Sequence, residues 1–337
     1  MRKINNVPVE AHTDLSSLTG GEVLKWDVDS GNMVWEDQDG RDYMPWYGER
    51  GIFAAGTTDS TDGDNYIDYI TINTLGNAAD FGDLTVNRWT PDACTNGTRG
   101  VFAGGGGDAG ERHNVMDYIT ISTLGNAIDF GDLTLARRAV AGAGSTNRGI
   151  FAGGYKTGPD ENSNIIEYIT IASAGNGIDF GDLTVARESF KGVSDNTYAI
   201  FGGDVSTVID YVSFDTTGNA SDFGDLTLAR VVLGACHSRT RGVFAGGWSS
   251  VGSPQTDTMD YITMATTGNA TDFGNLTAGI RDPAGCSNGT RGCFGGGRIS
   301  NVKQNKIDYI TIDTTGNAAD FGDLVRIAHG LASTSGD

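Results

Sequence analysis

One phrase occurs six times in this chain. In its second copy it runs Asp117-Tyr118-Ile119-Thr120-Ile121, then Gly125-Asn126-Ala127, then Asp129-Phe130-Gly131-Asp132-Leu133-Thr134. Its anchoring tyrosines are Tyr69, Tyr118, Tyr168, Tyr211, Tyr261 and Tyr309, which by subtraction lie 49, 50, 43, 50 and 48 residues apart. A fixed period of that length means one supersecondary unit repeated, each copy burying its apolar face against the next. The repeat overrides the prior that 337 residues make about two domains.

Each unit offers four short strand candidates rich in Ile, Val, Thr, Phe and Tyr. The first is small, as in Ala141-Gly142-Ala143-Gly144. An Asn-Gly turn follows it in two copies, Asn96-Gly97 and Asn288-Gly289. The second is the Gly-Val-Phe-Ala-Gly-Gly run, as in Gly100 to Gly105. The third carries the tyrosine and alternates, with Ile119 and Ile121 on one face and Tyr118 and Thr120 on the other. The fourth lies around Phe130 to Leu135. Five copies are expected to close with an arginine, namely Arg88, Arg137, Arg187, Arg230 and Arg281. The glycine pairs suit places where the backbones of neighbouring units converge and a Cβ would collide.

Four strands per unit, six units and no helical period predict an all-β fold, a six-bladed β-propeller. Gly51 to Ala55 enters the first unit directly at its second strand. The tail from Ala328 to Gly336 matches the first strand of other units. The C-terminal strand is therefore expected to pair into the first blade, closing the ring and removing its open edge. Residues 47–337 make the propeller. Residues 1–46 make an N-terminal attachment segment, with short strands at Val23-Leu24-Lys25-Trp26 and Met33-Val34-Trp35 and a turn at Asp29-Ser30-Gly31-Asn32.

The formal charge is −20, from 43 acidic and 23 basic residues. That balance disfavours nucleic acid, whose binding needs basic patches, and acidic membrane surfaces for the same reason. No segment approaches ~18 apolar residues, so no membrane insertion is expected. Cys94, Cys236 and Cys286 occupy equivalent places in separate units, and Cys293 replaces the Val or Ile of other copies. They read as small buried residues that stay apart rather than as a disulfide framework.

The Gly-Gly ending the second strand, the tyrosine of the third and the arginine before the next unit resemble the kelch-repeat propellers over residues 44–337. The fourth-strand tryptophan usual in that family is replaced by Phe81, Phe130, Phe180, Phe223, Phe273 and Phe321. The wording Thr-Gly-Asn-Ala-x-Asp-Phe-Gly-Asp-Leu-Thr is similar to kelch-type structural proteins of marine bacteriophages. The stretch Leu18-Thr19-Gly20-Gly21-Glu22-Val23-Leu24-Lys25-Trp26 resembles a segment of phage tail-fibre and virion appendage proteins. Together these resemblances imply a virion surface protein, assembled in the host cytoplasm and present in multiple copies per particle. Residues 1–46 would contact other virion proteins, and a host surface glycan would be the ligand. Two alternatives stay open: a capsid or tail decoration protein held by its N-terminal segment, and a propeller enzyme, an oxidase or lyase.

No residue set points to chemistry, so neither catalytic residues nor a cofactor is expected. Asp-Phe-Gly sits in a strand repeat and lacks every other kinase element. Asp129 and Asp132 are expected to make hydrogen bonds or ion pairs between blades, with the repeat arginines as their partners. The acidic loop from Asp59 to Asp64 reads as solvated, and the four histidines lack metal spacing. What differs between units is more informative. Loops after the second and fourth strands should open on one face, and they carry Trp89, Arg112, His113, Tyr155, Lys156, Trp248 and Arg298. Aromatic and basic side chains on such loops suit a sugar-binding or protein-binding face.

Overall fold

The computed structural model describes residues 22–27, 32–37, 48–58, 63–158, 161–249 and 255–336. The chain divides into two units, Met1–Met44 and Pro45–Asp337. In the first, Glu22–Asp27 pairs antiparallel with Asn32–Asp37. Residues 29–31 of the expected turn and the remainder of the attachment segment lie outside the described residues, while Asn32 opens the second strand.

The second unit is six small antiparallel sheets arranged in a ring, a six-bladed β-propeller. Blade 3 shows the plan. From the axis outward its strands are Ala141–Gly144, Arg148–Ala152, Ile165–Thr170 and Ile178–Asp182. The second strand is buried from Gly149 to Ala152 because it lies between flanking strands and between flanking blades. The third strand alternates from Tyr168 onward, with Ile169 and Ile171 buried and Thr170 exposed, whereas Ile166 and Glu167 are both buried at a register shift against the fourth strand. Each apolar cluster spans a blade boundary: Phe180, Leu183 and Ile150 of blade 3 pack with Phe201, Val212 and Phe214 of blade 4.

Blade 1 takes its inner strand from the end of the chain. Ala332–Gly336 pairs with Arg50–Ala54, Ala332 opposite Ala54 and Gly336 opposite Arg50. The ring is closed as the two chain ends predicted.

Three repeated devices bolt blade to blade. The first explains the Gly-Asn-Ala and Asp-Phe-Gly-Asp wording. Gly125 and Ala127 of blade 2 donate backbone hydrogen bonds to Phe81 and Asp83 of blade 1, and Asn126 Oδ1 accepts from Asp83 N at 3.1 Å. Asn176, Asn219, Asn269, Asn317 and Asn77 repeat that asparagine bond round the ring. A Cβ on Gly224 would come within 2.4 Å of Gly268 O, so only glycine lets the two backbones meet there.

The second device is a tyrosine held on two sides. Each repeat tyrosine packs edge-on against the phenylalanine of the same blade, with centroids 5.8–6.1 Å apart. An arginine opening the second strand lies over the tyrosine ring and donates to a carbonyl of the next blade. Arg99 stands 4.3 Å from the Tyr118 centroid and bonds Ile171 O at 2.9 Å. Arg50, Arg148, Arg241 and Arg291 do the same. In blade 4 Tyr198 takes the arginine's place and meets Tyr211 edge-on.

The third device is a buried ion pair. Arg88, Arg137, Arg187 and Arg230 reach from the end of one blade to Asp117, Glu167, Asp210 and Asp260 of the next, with every side chain fully buried. The same carboxylate also accepts from the repeat threonine, as Asp210 does from the Thr184 hydroxyl at 2.5 Å. This corrects two expectations. The partner of the repeat arginines is the acid before the tyrosine, not Asp129 or Asp132, which are exposed. In addition, Arg281 is not the fifth repeat arginine. Ile280 holds that position, since Gly247 N bonds Ile280 O just as Gly105 N bonds Arg137 O. The glycine pair meets these connectors. The second glycine of the pair lies against the backbone arriving from the preceding blade, where a Cβ on Gly154 would lie 2.8 Å from Arg138 O, and the inner strands approach as closely, with a Cβ on Gly142 2.2 Å from Ala93 O.

The two boundaries lacking the arginine flank blade 6. Asp308 pairs with Lys306, and Asp68 with Arg326, both half-buried cations. Burial is the larger influence on Asp68 and raises its pKa to about 6 against the opposing pull of Arg326. The folded state therefore holds this proton between about pH 4 and 6, where the unfolded chain has lost it. Stability from this group is highest below pH 4 and falls as pH rises to 6. Asp68→Asn should flatten that slope and raise the melting temperature at pH 7 by roughly 1–3 °C. A lower melting temperature at pH 7 would show the carboxylate to be net stabilising.

All four cysteines are free and buried. Cys286 and Cys293 are cross-strand partners, and Cys236 of blade 5 lies close enough to influence both electrostatically. The expectation that equivalent cysteines stay apart fails here, because inner strands of adjacent blades converge. No described helix is long and apolar enough to cross a membrane.

Candidate functional site

Two kinds of opening exist on the propeller. One runs along the axis. At its mouth Thr90, Ala139, Ser189, Val232, Asp282 and Gly330 all have left-handed backbones. Five successive hydrogen bonds join them, from Thr90 N to Gly330 O round to Asp282 N to Val232 O. Below the mouth, Lys191 Nζ bonds Asp92 Oδ1 at 2.9 Å, a link between blades 4 and 2. The axial cavities measure about 40 and 60 Å³. Such spaces hold a few waters and are too small for a sugar ring.

The other opening is the face that bears the second-to-third and fourth-to-first loops. The residue after the repeat-arginine position varies from copy to copy, with arginine in two of the six: Trp89, Arg138, Glu188, Val231, Arg281 and His329. In five copies it forms an antiparallel bridge to the residue after the glycine pair or its equivalent. The bridges join Trp89 to Gly106, Arg138 to Tyr155, Val231 to Trp248, Arg281 to Arg298, and His329 to Thr57. The strands of the ring thus hold two sets of non-repeated side chains in fixed register on one face.

Three of the seven predicted residues come together here, around a fourth that the sequence reading passed over. Arg138 stands 4.6 Å from both the Trp89 and Tyr155 ring centroids. Arg112 stands 4.8 Å from the Tyr155 centroid. The result is a ladder of Trp89, Arg138, Tyr155 and Arg112 across blades 1 to 3. Trp89 also lies against Gly106, where a Cβ would come within 3.0 Å of its ring. The Tyr155 hydroxyl bonds Glu161, which raises its pKa. Glu188 lies near enough to act on Arg138, and burial raises its pKa. The signal for Arg138 was the double arginine Arg137-Arg138, found in no other copy at this position.

The remaining predicted residues sit elsewhere. His113 has its Nε2 buried without a partner among the described residues, and burial, aided by Arg88, lowers its pKa. Lys156 donates its backbone N–H to Glu161 O. Trp248 is half-buried and bonded through its backbone to Val231, away from the ladder. Arg298 clamps Asp282 through Nε at 3.0 Å and Nη2 at 2.6 Å, a structural contact beside the axial mouth. Most of the acidic loop, residues 59–62, lies outside the described residues, while Asp64 Oδ2 accepts from Thr58 N at 2.6 Å. Among the described residues no three His, Cys, Asp or Glu side chains converge as a metal-holding group.

The outer strands' turns occupy the opposite face, and there too the repeat is broken. Leu75, Leu124, Ile128 and Ile178 are 53, 52, 59 and 54 % exposed. The matching positions in blades 4 to 6 are Thr217, Ser221, Thr267, Thr271, Thr315 and Ala319. The two faces therefore differ in kind, one bearing a cation–aromatic ladder and the other an apolar arc. No protein-family model matches the chain, and no curated protein matches it.

Proposed function

We propose that this chain is a non-enzymatic surface module of a bacteriophage virion, a kelch-like tail-fibre or appendage propeller that contacts host surface glycans. The observation that carries the reading is the ladder of Trp89, Arg138, Tyr155 and Arg112. It is confined to one part of one face, whereas the repeated tyrosines, asparagines, buried acids and most repeated arginines serve the three blade-to-blade devices. A ligand site on a repeat scaffold is expected where the copies disagree. The virion setting rests on the repeat wording and on the N-terminal segment, which would hold the propeller to other virion proteins. The full chain on a glycan array should bind a defined set of saccharides and lose them in Tyr155→Ala with unfolding unchanged. Absence of binding to any saccharide or host cell overturns this reading.

The apolar arc of Leu75, Leu124, Ile128 and Ile178 favours a second reading, a capsid or tail decoration protein that seats this turn face on the particle. Association with purified capsid or tail shells, reduced in Ile128→Ser and Ile178→Ser and unaffected in Tyr155→Ala, would select it.

A further inference from the structure

A sugar-binding face usually offers aromatic rings for stacking, yet the rings of this ladder are already used. Trp89 has Gly106 against its ring and Arg138 over it. Tyr155 receives both Arg138 and Arg112. What the ladder leaves open is the nitrogen edges of its guanidinium groups. Among the described residues the Arg138 side chain has no hydrogen-bond acceptor and no ion pair; its contacts are the two rings. Arg112 has one Nη bonded to Gly110 O, and its Nε is buried without a partner.

This arrangement is costly without a ligand. Half-burial removes water from Arg138, and the neighbouring Arg112 adds like-charge repulsion. Stacking on two rings fixes the plane of the fork, so little entropy remains to be lost when it binds. A flat donor edge of this kind matches two oxygens of a carboxylate or sulfate. Among the described residues the carboxylates that act on Arg138 are Glu188 and Glu161. Glu161 is engaged by Tyr155, and Glu188 makes no ion pair with Arg138 among the described residues.

We propose that the saccharide read by this face is acidic, with a carboxylate or sulfate group clasped by the Arg138 and Arg112 edges. This inference rests on the glycan-binding reading above and adds the charge of the ligand to it. The net charge of −20 disfavours diffuse attraction of polyanions, so binding has to be local to the ladder. Glu188 then competes for the same fork, and removing its charge strengthens binding.

The test is titration of the full chain with three oligosaccharides of equal length: oligogalacturonate, a chondroitin sulfate fragment and uncharged dextran. The expected result is binding of an acidic probe and not of dextran. Preference between the two acidic probes distinguishes carboxylate from sulfate, and either preference supports the proposal. Arg138→Gln should weaken acidic binding at least tenfold, and Glu188→Gln should strengthen it about threefold. The opposite signs of these variants separate recognition from misfolding. Dextran binding that ignores both variants overturns this inference and leaves the glycan reading standing. Failure to bind any saccharide overturns both.

Discussion

Arg187→Ala should lower the unfolding free energy by about 3–5 kcal/mol. Arg187 Nη2 lies 2.9 Å from Asp210 Oδ2, with both side chains fully buried. The same guanidinium donates to Val208 O at 2.8 Å and to Phe201 O at 3.1 Å. Its plane stands 4.7 Å from the Phe190 centroid. Truncation removes these contacts, together with a bond to Gly203 O at 3.4 Å, and strands the Asp210 carboxylate with only Thr184 as donor. The large effect is the cost of that stranded charge, not the net worth of the pair. Replacing both partners, as Arg187→Leu with Asp210→Leu, should therefore recover most of the loss. Urea denaturation at pH 7 checks both variants. A change below about 1 kcal/mol in Arg187→Ala would mean that water reaches the carboxylate.

Deleting residues 332–337 should have a still larger effect, abolishing the soluble cooperative monomer. The deletion strips the hydrogen-bonded partner from Arg50–Ala54 and exposes an apolar strand edge. It also cuts ties to two neighbours. Ser333 Oγ donates to Gly285 O of blade 6 at 2.7 Å, and Thr95 Oγ1 of blade 2 donates to Ser335 O at 3.1 Å. Blade 6 meets blade 1 without the buried arginine that joins blades 1 to 5, because Ala328 stands where Arg88 and its counterparts stand. The closing boundary thus leans more heavily on the C-terminal strand. Aggregation or multi-phase unfolding on thermal scans is the expected outcome.

Period and alternation made the architecture legible. The tyrosine spacing gave six units, the strand-two start at Gly51 gave the phase, and the tail from Ala328 gave the closing strand. Partners across a blade boundary were harder to read, because spacing along one chain does not say which side chains converge from two copies. Asp117 and Asp129 look alike as acids in a repeat, yet one is buried against Arg88 and the other faces solvent. Ile280-Arg281 carried a one-residue ambiguity that only the Gly247 hydrogen bond resolves. For the site, Trp89, Arg112 and Tyr155 stood out as loop residues, whereas Arg138 was masked by the repeat arginine beside it. Arg298 looked as free as Arg112, but its partner Asp282 lies on a different loop.

Everything functional here depends on a closed ring that fixes the non-repeated positions on one face. Ala54 and Ala332 are directly opposed in the closing strand pair. Cysteines placed at both positions fall within disulfide reach. Mass spectrometry of the oxidised, unreduced Ala54→Cys, Ala332→Cys double variant should find peptides from the two ends of the chain linked within a monomer. Recovery of both cysteines as free thiols, or linked only between two chains, would contradict the closed propeller.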